Sequence, residues 1–360
     1  MSASDSSHGP SIWAVSDGRA GNAAQVRAIL AALSETRRWL QIGHIAGKGH
    51  RAEPLTLSPR PPWTWLPGAS WPLPLQALPK ANRAQLVSPW PTLWVAAGRR
   101  SAPYSAAVRR WSGGKTLTVQ ILDPKTDPEK FDLVIVPEHD RLIGANVIRM
   151  TGSPTHFTED AIEDAGQAFA DLADERGKSA VVILGGKSKA HSFDRESTET
   201  LIQKLETAAQ TGWRLRITCS RRTPVSVVAK MRQFADRVGA SFWANDGDGP
   251  NPYLAWLLYS GVAVVTEDSS NMLSDAAWHG LPVHIARLKG GAAKFDRLHQ
   301  SLIDRGCARW FDQPLEHWEY QPLREAGRVA DQIIERLLEL YPQPEIESFD
   351  GMKTVAPSWL

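Results

Sequence analysis

The chain has 360 residues, 42% hydrophobic and 22% charged, with 41 basic against 39 acidic residues for a net charge of +2. That length carries two domains with separate cores, because single cores stop growing at roughly 250–300 residues, and the even charge balance argues against a dedicated nucleic-acid binder. The only cysteines, Cys219 and Cys307, form no CxxC and no Cys/His ligand spacing, which argues against a disulfide framework or structural zinc and fits a reducing compartment.

Residues 1–10 are polar, lack the basic and apolar blocks of a signal peptide, and read as a disordered lead-in. No apolar run approaches the roughly 20 residues needed to cross a bilayer. A soluble, cytoplasmic chain is expected, and a peripheral contact with the inner face of a membrane stays open. Ile12 to Val15 predicts a buried strand, and the helix after it shows its apolar face in Val26, Ile29, Leu30 and Leu33. Between Pro54 and Trp94 fall ten of the 25 prolines and five of the 15 tryptophans. Proline removes backbone donors, so this segment is neither ordinary helix nor central strand. It reads either as a surface loop pinned by its own aromatics or as a membrane or acceptor patch.

Leu93 to Ala97, Thr118 to Leu122, Leu133 to Val136 and Val147 to Met150 predict further strands, continuously apolar as parallel strands are. Thr151-Gly-Ser-Pro154 breaks the pattern. It restarts at Val181 to Leu184 and continues through Leu215 to Thr218, Val262 to Val265 and Val283 to Ile285, each followed by a helix. Two βαβ series predict an α/β fold of two doubly wound Rossmann-like domains facing a cleft, over residues 11–155 and 156–325. Residues 326–360 supply a final helix and tail that can pack back on the first domain. Ligands are expected at the carboxyl ends of the strands.

The densest polar run follows a buried strand, from Val264 through Thr266, Glu267, Asp268, Ser269, Ser270 and Asn271 to Gly280-Leu-Pro282. Ser269 or Ser270 predicts a helix N-cap, Gly280 its end, and the first N–H groups suit an anion. Asp275, one turn in, can accept hydrogen bonds from a ribose diol. Leu184-Gly-Gly-Lys-Ser188 is not a Walker A loop, because Val181 stands where its first glycine belongs. Gly185 and Gly186 still permit close backbone approach, and Lys187 and Ser188 can serve phosphate oxygens. Arg221 and Arg222, at another strand end, can clamp a pyrophosphate.

In the first domain, Ser16-Asp-Gly-Arg-Ala-Gly-Asn22 is not GxGxxG. Asp17 is a candidate general base, with Arg19 and Asn22 as acceptor-side contacts, and Arg99 and Arg100 repeat the arrangement after Ala97. His139 in Pro137-Glu-His-Asp140 is a second candidate base. Asp246-Gly-Asp248 lies among turn formers and reads as a turn rather than a metal-binding DxD. No HExxH or other metal spacing occurs. Lys289-Gly-Gly-Ala-Ala-Lys294 reads as a basic loop able to close over a ligand, or as a plain connector.

The two glycine loops and the Ser274-Asp275…Gly280-Leu-Pro282 element resemble GT-B glycosyltransferases, nearest to the branch that adds N-acetylglucosamine to a lipid-linked peptidoglycan precursor. There a Ser-Glu pair at this spacing holds the nucleotide ribose, and here Asp275 replaces the Glu. Most of the chain, about 12–310, resembles the mitochondrial-fission Elm family, plant factors and their proteobacterial relatives. The resemblance is carried by Ser16 to Asn22, Val119 to Leu122, Val136 to Asp140, Leu184 to Lys187, Thr266 to Pro282 and Lys289 to Phe295. It implies a GT-B-like fold and glycosyl transfer from a nucleotide diphosphate sugar, with no further cofactor. The donor would lie on the C-terminal domain, and an acceptor, lipid-linked or at a membrane surface, on the N-terminal one. The plant members recruit a dynamin-related protein, so a non-enzymatic membrane adaptor is the competing reading. A nucleotide-sugar epimerase is a third.

Overall fold

The computed structural model describes residues 11–36, 51–66, 71–175 and 177–341. The lead-in over residues 1–10 and most of the C-terminal tail lie outside them. Two all-parallel six-stranded sheets form the frame. The first contains β1 (Ile12–Ser16), β2 (Arg51–Thr56), β3 (Leu93–Ala97), β4 (Leu117–Ile121), β5 (Leu133–Pro137) and β6 (Val147–Met150). Its spatial order is β2-β1-β3-β4-β5-β6.

The second half supplies β7 (Ser179–Leu184), β8 (His191–Ser192), β9 (Arg214–Cys219), β10 (Ser241–Trp243), β11 (Val262–Thr266), β12 (Val283–Ala286), β13 (Lys289–Gly290) and β14 (Ala308–Trp310). Here the order is β10-β9-β7-β11-β12-β14, while β8 and β13 pair antiparallel as a separate strap. The expected architecture of two doubly wound, GT-B-like domains is present. Strands β2, β10 and β14 sit at sheet edges. They are short or polar, and their periodicity alone does not mark them.

Continuous burial of β1, β3, β4, β5, β7 and β11 follows from helices or other layers covering both sheet faces. One face of the first sheet packs against the Ala20–Glu35 helix and against Ala326, Val329, Ile333, Ile334 and Leu337 of the Glu325–Leu340 helix. That last helix therefore crosses back to the first domain. Each of Val329, Ile333, Ile334 and Leu337 contributes about 1.5–3 kcal/mol of transfer free energy, so the helix is a structural part of that domain.

The opposite face carries the Pro/Trp segment. Trp71, Ala77, Leu78 and Leu86 bury against Trp13, Trp94, Tyr104 and Val108, and Trp63 stacks edge-on to Trp71 at 5.9 Å. Most of its aromatics thus form a layer where a crossover helix would otherwise lie. Trp65 stands apart at 78% exposure. In the second domain, Asp194 caps the Arg195–Gln210 helix through Ser197 N–H, and Gly239 ends the Val225–Val238 helix in the left-handed conformation.

In doubly wound sheets a cleft opens where the strand order reverses. The reversal lies between β1 and β3 in the first sheet and between β7 and β11 in the second. Helices and loops that follow these carboxyl edges meet across the domains. Gln25 Nε2 donates to Asn271 Oδ1 at 3.4 Å, Arg297 Nε donates to the His139 carbonyl at 3.0 Å, and Lys294 pairs with Asp140 at 3.0 Å.

Candidate functional site between two switch points

At the C-terminal switch point β7 runs into Gly185-Gly186 and β11 into Glu267-Asp268. The Gly185 N–H donates to Thr266 Oγ1 at 2.8 Å and the Gly186 N–H to Asp268 Oδ2 at 2.9 Å. Thr266 Oγ1 donates to Asp268 Oδ1 at 2.8 Å, and Arg222 approaches Oδ2 at 3.2 Å. A Cβ on Gly185 would lie 2.1 Å from the Asp268 carboxylate, and one on Gly186 would lie 2.0 Å from the Arg222 carbonyl oxygen.

These glycines therefore admit the protein's own groups. Both glycines, expected to permit close backbone approach to a donor, give their N–H groups to buried acceptors of the protein. Asp268, a predicted donor contact, is a correction, since its side chain is fully buried as the brace of this loop. Ser188 closes its own turn, accepting from the Ala190 and His191 N–H groups.

Glu267 also turns inward, and its Oε1 accepts the Leu288 N–H at 2.5 Å. Burial raises its carboxyl above the usual range, and that N–H bond offsets part of the rise. His191 Nε2 lies 4.0 Å from Glu267 Oε2, and His299 bonds the Glu267 carbonyl at 2.9 Å. Both histidines are buried. No spacing in the sequence ties them to Glu267, which is 76 residues from one and 32 from the other.

The groups left facing outward are cationic or dipolar. Lys187, Arg221 and Arg222 are exposed. The Ser270–Trp278 helix begins two residues past Asp268, the partner of Arg222, and its N-cap, Ser269, makes no side-chain bond to the first turn. Its orphan N–H groups and positive dipole end are free for an anion. Asn271, in that turn, reaches Gln25 of the other domain.

Asp275 lies further along this helix, surrounded by protein yet still touched by solvent. Its Oδ1 accepts the Thr155 hydroxyl at 2.9 Å and its Oδ2 the Tyr253 hydroxyl at 2.8 Å. Burial pushes the carboxyl up to about 6, against the pull of those two bonds. Both carboxylate oxygens thus already hold a protein donor, and each keeps a second acceptor site.

At the N-terminal switch point Asp17 Oδ1 accepts from Asn22 Nδ2 at 2.8 Å and from the Arg19 N–H at 3.3 Å. Its other oxygen lies 2.5 Å from where a Gly98 Cβ would stand. Asp17 and Asn22 are buried and brace the loop, which corrects the reading of Asp17 as a free general base and of Asn22 as a free acceptor contact. Arg19, Arg99 and Arg100 stay exposed on the same edge.

His139 is buried, and its Nδ1 has no partner among the described residues. Burial and then Lys294 push its imidazole down to about 4, so it is neutral at physiological pH. Asp246-Gly-Asp248 is a capped turn, with Asn245 and Asp248 bonding the backbone reciprocally and Asp248 paired to Arg232 at 2.8 Å. Among the described residues, no group of three or more His, Cys, Asp or Glu is arranged to hold a metal ion. No helix among them is long and apolar enough to cross a membrane.

Two doubly wound domains with their switch points turned toward each other define a GT-B-like two-domain protein. The chain belongs to the mitochondrial fission ELM1 family, which matches residues 20–337, as the motifs of its sequence suggest. It is 26% identical over 275 residues to Mitochondrial fission protein ELM1 of Arabidopsis thaliana, an overlap of 68% of this chain and 63% of that protein. The chain thus spans less than two thirds of that relative. An uncharacterized protein of Rickettsia prowazekii (strain Madrid E) is 25% identical over 283 residues, covering 68% of this chain and 79% of its own length.

Among solved structures, UDP-GlcNAc 2-epimerase from Neisseria meningitidis bound to UDP-GlcNAc is similar at a TM-score of 0.49 and 13% identity, over 91% of this chain and 100% of that one. Medicago truncatula UGT71G1 complexed with UDP-glucose has a TM-score of 0.48 and 11% identity, over 92% and 93% of the two chains.

Proposed function

We propose that the chain takes a nucleotide diphosphate sugar on its C-terminal edge and transfers the sugar to an acceptor hydroxyl on its N-terminal edge. The carrying observation is the uncapped start of the Ser270–Trp278 helix at the switch point, two residues past Asp268, which Arg222 approaches at 3.2 Å, with Lys187 and Arg221 exposed on the strand-end loops beside Gly186 and Arg222 in sequence. There the helix N–H groups and the cations meet the diphosphate charge that grows as the sugar–phosphate bond breaks. The new bond forms from the acceptor oxygen to the sugar carbon, and the hydroxyl proton passes to His139. A bound diphosphate raises the imidazole from about 4 toward neutrality, which improves it as a base. Arg19, Arg99 and Arg100 fit an acceptor that carries negative charge, such as a lipid-linked phosphate at a membrane surface.

One observation favours a second reading, a partner-recruiting adaptor that keeps the fold without the chemistry. The carboxylates of Asp17, Asp268 and Asp275 all hold internal partners. The Arabidopsis relative's name, which speaks of mitochondrial fission, agrees with it.

A thermal-stability panel of nucleoside diphosphates and nucleotide sugars separates the two. A ligand at 100 times its dissociation constant adds about 2.7 kcal/mol. A shift that disappears in Lys187→Ala/Arg221→Ala supports the transferase. No shift with any member at millimolar concentration leaves the adaptor.

A further inference from the structure

The candidate base of the first domain is held by a helix of the second. His139 lies in the turn after β5, which the Asp140 N–H closes on the Pro137 carbonyl at 2.9 Å. Against this turn lies the Ala293–Asp304 helix. Positions 294, 297 and 305 share one helical face, because at roughly 3.6 residues per turn those steps return to nearly the same side. Each meets one residue of the turn. Lys294 pairs with the Asp140 carboxylate at 3.0 Å, Arg297 Nε donates to the His139 carbonyl at 3.0 Å, and Arg305, the helix C-cap, approaches Glu138 at 3.9 Å.

The arrangement is more specific than attraction between two charged surfaces. The first domain itself holds Glu138, whose carbonyl accepts from Arg149 Nη2 at 2.8 Å and whose carboxylate accepts the Thr151 hydroxyl at 3.0 Å. The carbonyl of His139 and the carboxylate of Asp140 go to the other domain instead. The imidazole is buried, and its Nδ1 has no partner among the described residues. The charged and titratable groups that face it are Asp140 on its own turn and Lys294, Arg297 and His299 on the helix. After burial, which weighs most, Lys294 and Arg297 disfavour the imidazolium while Asp140 favours it. The two members of the Lys294–Asp140 pair thus act on the ring with opposite signs.

We propose that Arg297 and Lys294 are positioning residues for His139, so that a base carried by one domain is completed by a helix of the other. Arg297 fixes the backbone from which the imidazole projects, and Lys294 neutralises the carboxylate that would otherwise charge the ring. The ring is then neutral and able to take a proton where the two domains meet. This rests on the reading of His139 as the base and adds the groups that set it. A brace that merely joined the domains would contribute stability and leave the imidazole's own behaviour unchanged.

The test follows the ring itself, by carbon NMR of the full chain labelled in its histidines, with the His139 signal assigned by its loss in His139→Gln. Lys294→Gln should move the midpoint of the ring up by about one pH unit at low ionic strength. That move should shrink as salt is added, since Lys294 is half in solvent. Asp140→Asn should move the midpoint down, and Lys294→Arg should leave it in place. Unmoved midpoints in Lys294→Gln and Asp140→Asn, or moves of the same sign, overturn the role of Lys294.

Arg297 is tested by access. Diethyl pyrocarbonate modifies neutral imidazoles, and mass spectrometry reads each histidine separately. Arg297→Gln should speed modification of His139 about fivefold, the worth of one hydrogen bond that keeps the turn in place. His191 and His284, buried elsewhere in the second domain, should keep their rates. An unchanged rate at His139, or faster reaction at all three, makes Arg297 a brace of the fold and overturns its role. Neither measurement needs turnover, so both decide the positioning on their own. Failure of the base reading would show separately, as unimpaired sugar transfer in His139→Gln.

Discussion

The two switch points are built alike and made rigid by different means. In each, a carboxylate from the loop after one strand folds over a glycine at the end of its neighbour: Asp17 over Gly98 in the first domain, Asp268 over Gly185 in the second. Asp17 is held by the Asn22 side chain, in the first turn of the helix that follows, and by the Arg19 N–H of its own loop. Asp268 is held by Thr266, the Gly186 N–H and Arg222, which come from three strand ends. Gly98 sits at φ +98° facing only side-chain atoms, whereas Gly186 faces the Arg222 carbonyl. Side chains can turn away from an added methyl and backbone cannot, so the N-terminal loop can adjust and the C-terminal loop is locked.

The largest test of this contrast is glycine replacement. Gly186→Ala should cost about 3 kcal/mol or more in urea unfolding, and adding Arg222→Ala should recover none of it, because the obstructing atom is backbone. Gly98→Ala should cost about 2 kcal/mol, and Asn22→Ala should recover part; what remains is the strain of φ +98°. Equal costs with equal rescue would remove the distinction between the loops.

A smaller effect appears in pH dependence, where the domains contribute opposite signs. Asp275 on the C-terminal side is raised from 3.8 to about 6, so between those values the folded chain binds more protons than the unfolded one, and its contribution to stability falls as pH rises. His139 on the N-terminal side is lowered from 6.5 to about 4. In that window the unfolded chain binds more protons, and its contribution rises with pH. Each amounts to about 3 kcal/mol across its window, and in the unaltered chain they largely cancel between pH 4 and 6. Asp275→Asn should make stability climb with pH over that range, and His139→Gln should make it fall. Denaturation series at half-unit pH steps would show it, and slopes of the same sign in both variants would refute the assignment.

How far this was legible in the sequence follows from what each feature depends on. Strands such as Val181 to Leu184 are readable because parallel strands covered on both faces must be apolar throughout. The two glycine loops are readable as loops, and their positions at strand ends place the cleft. The partners of their polar groups are not readable. Asp268 lies 82 residues from Gly186, Tyr253 lies 22 from Asp275, and Thr155 lies 120 from it; only the folded chain brings them together. A polar run after a buried strand signals that something is held there. It does not say whether a ligand or the protein itself holds it, and so Glu267, Asp268 and Ser188 read as donor contacts although they serve the loops.

Removing the two braces directly has a smaller effect again. Asp268→Ala strands the buried Gly186 N–H and should cost about 2 kcal/mol, whereas Asp17→Ala frees groups nearer solvent and should cost about 1 kcal/mol. Because Arg222 leans on Asp268, the first change should also weaken any diphosphate shift, while the second should leave it in place. If Asp17→Ala abolishes the shift and Asp268→Ala does not, donor and acceptor edges are reversed.

The smallest effect separates the outer layers of the two domains. The second domain covers both faces of its sheet with helices, and the first covers one face with the Pro/Trp segment, whose tryptophans mostly serve as core. Trp65 is the exception, 78% exposed beside Leu66 at 48%. A side chain that buries so little area stabilises little, so Trp65→Ala should change unfolding free energy by less than about 0.5 kcal/mol. An indole placed for the lipid–water interface would show itself elsewhere, in co-sedimentation with vesicles of anionic phospholipid. Weaker sedimentation of Trp65→Ala at unchanged stability would make the N-terminal layer both a core and a membrane contact. Equal sedimentation would leave the segment as a structural replacement for a helix, and the acceptor would then have to be sought at Arg19, Arg99 and Arg100 alone.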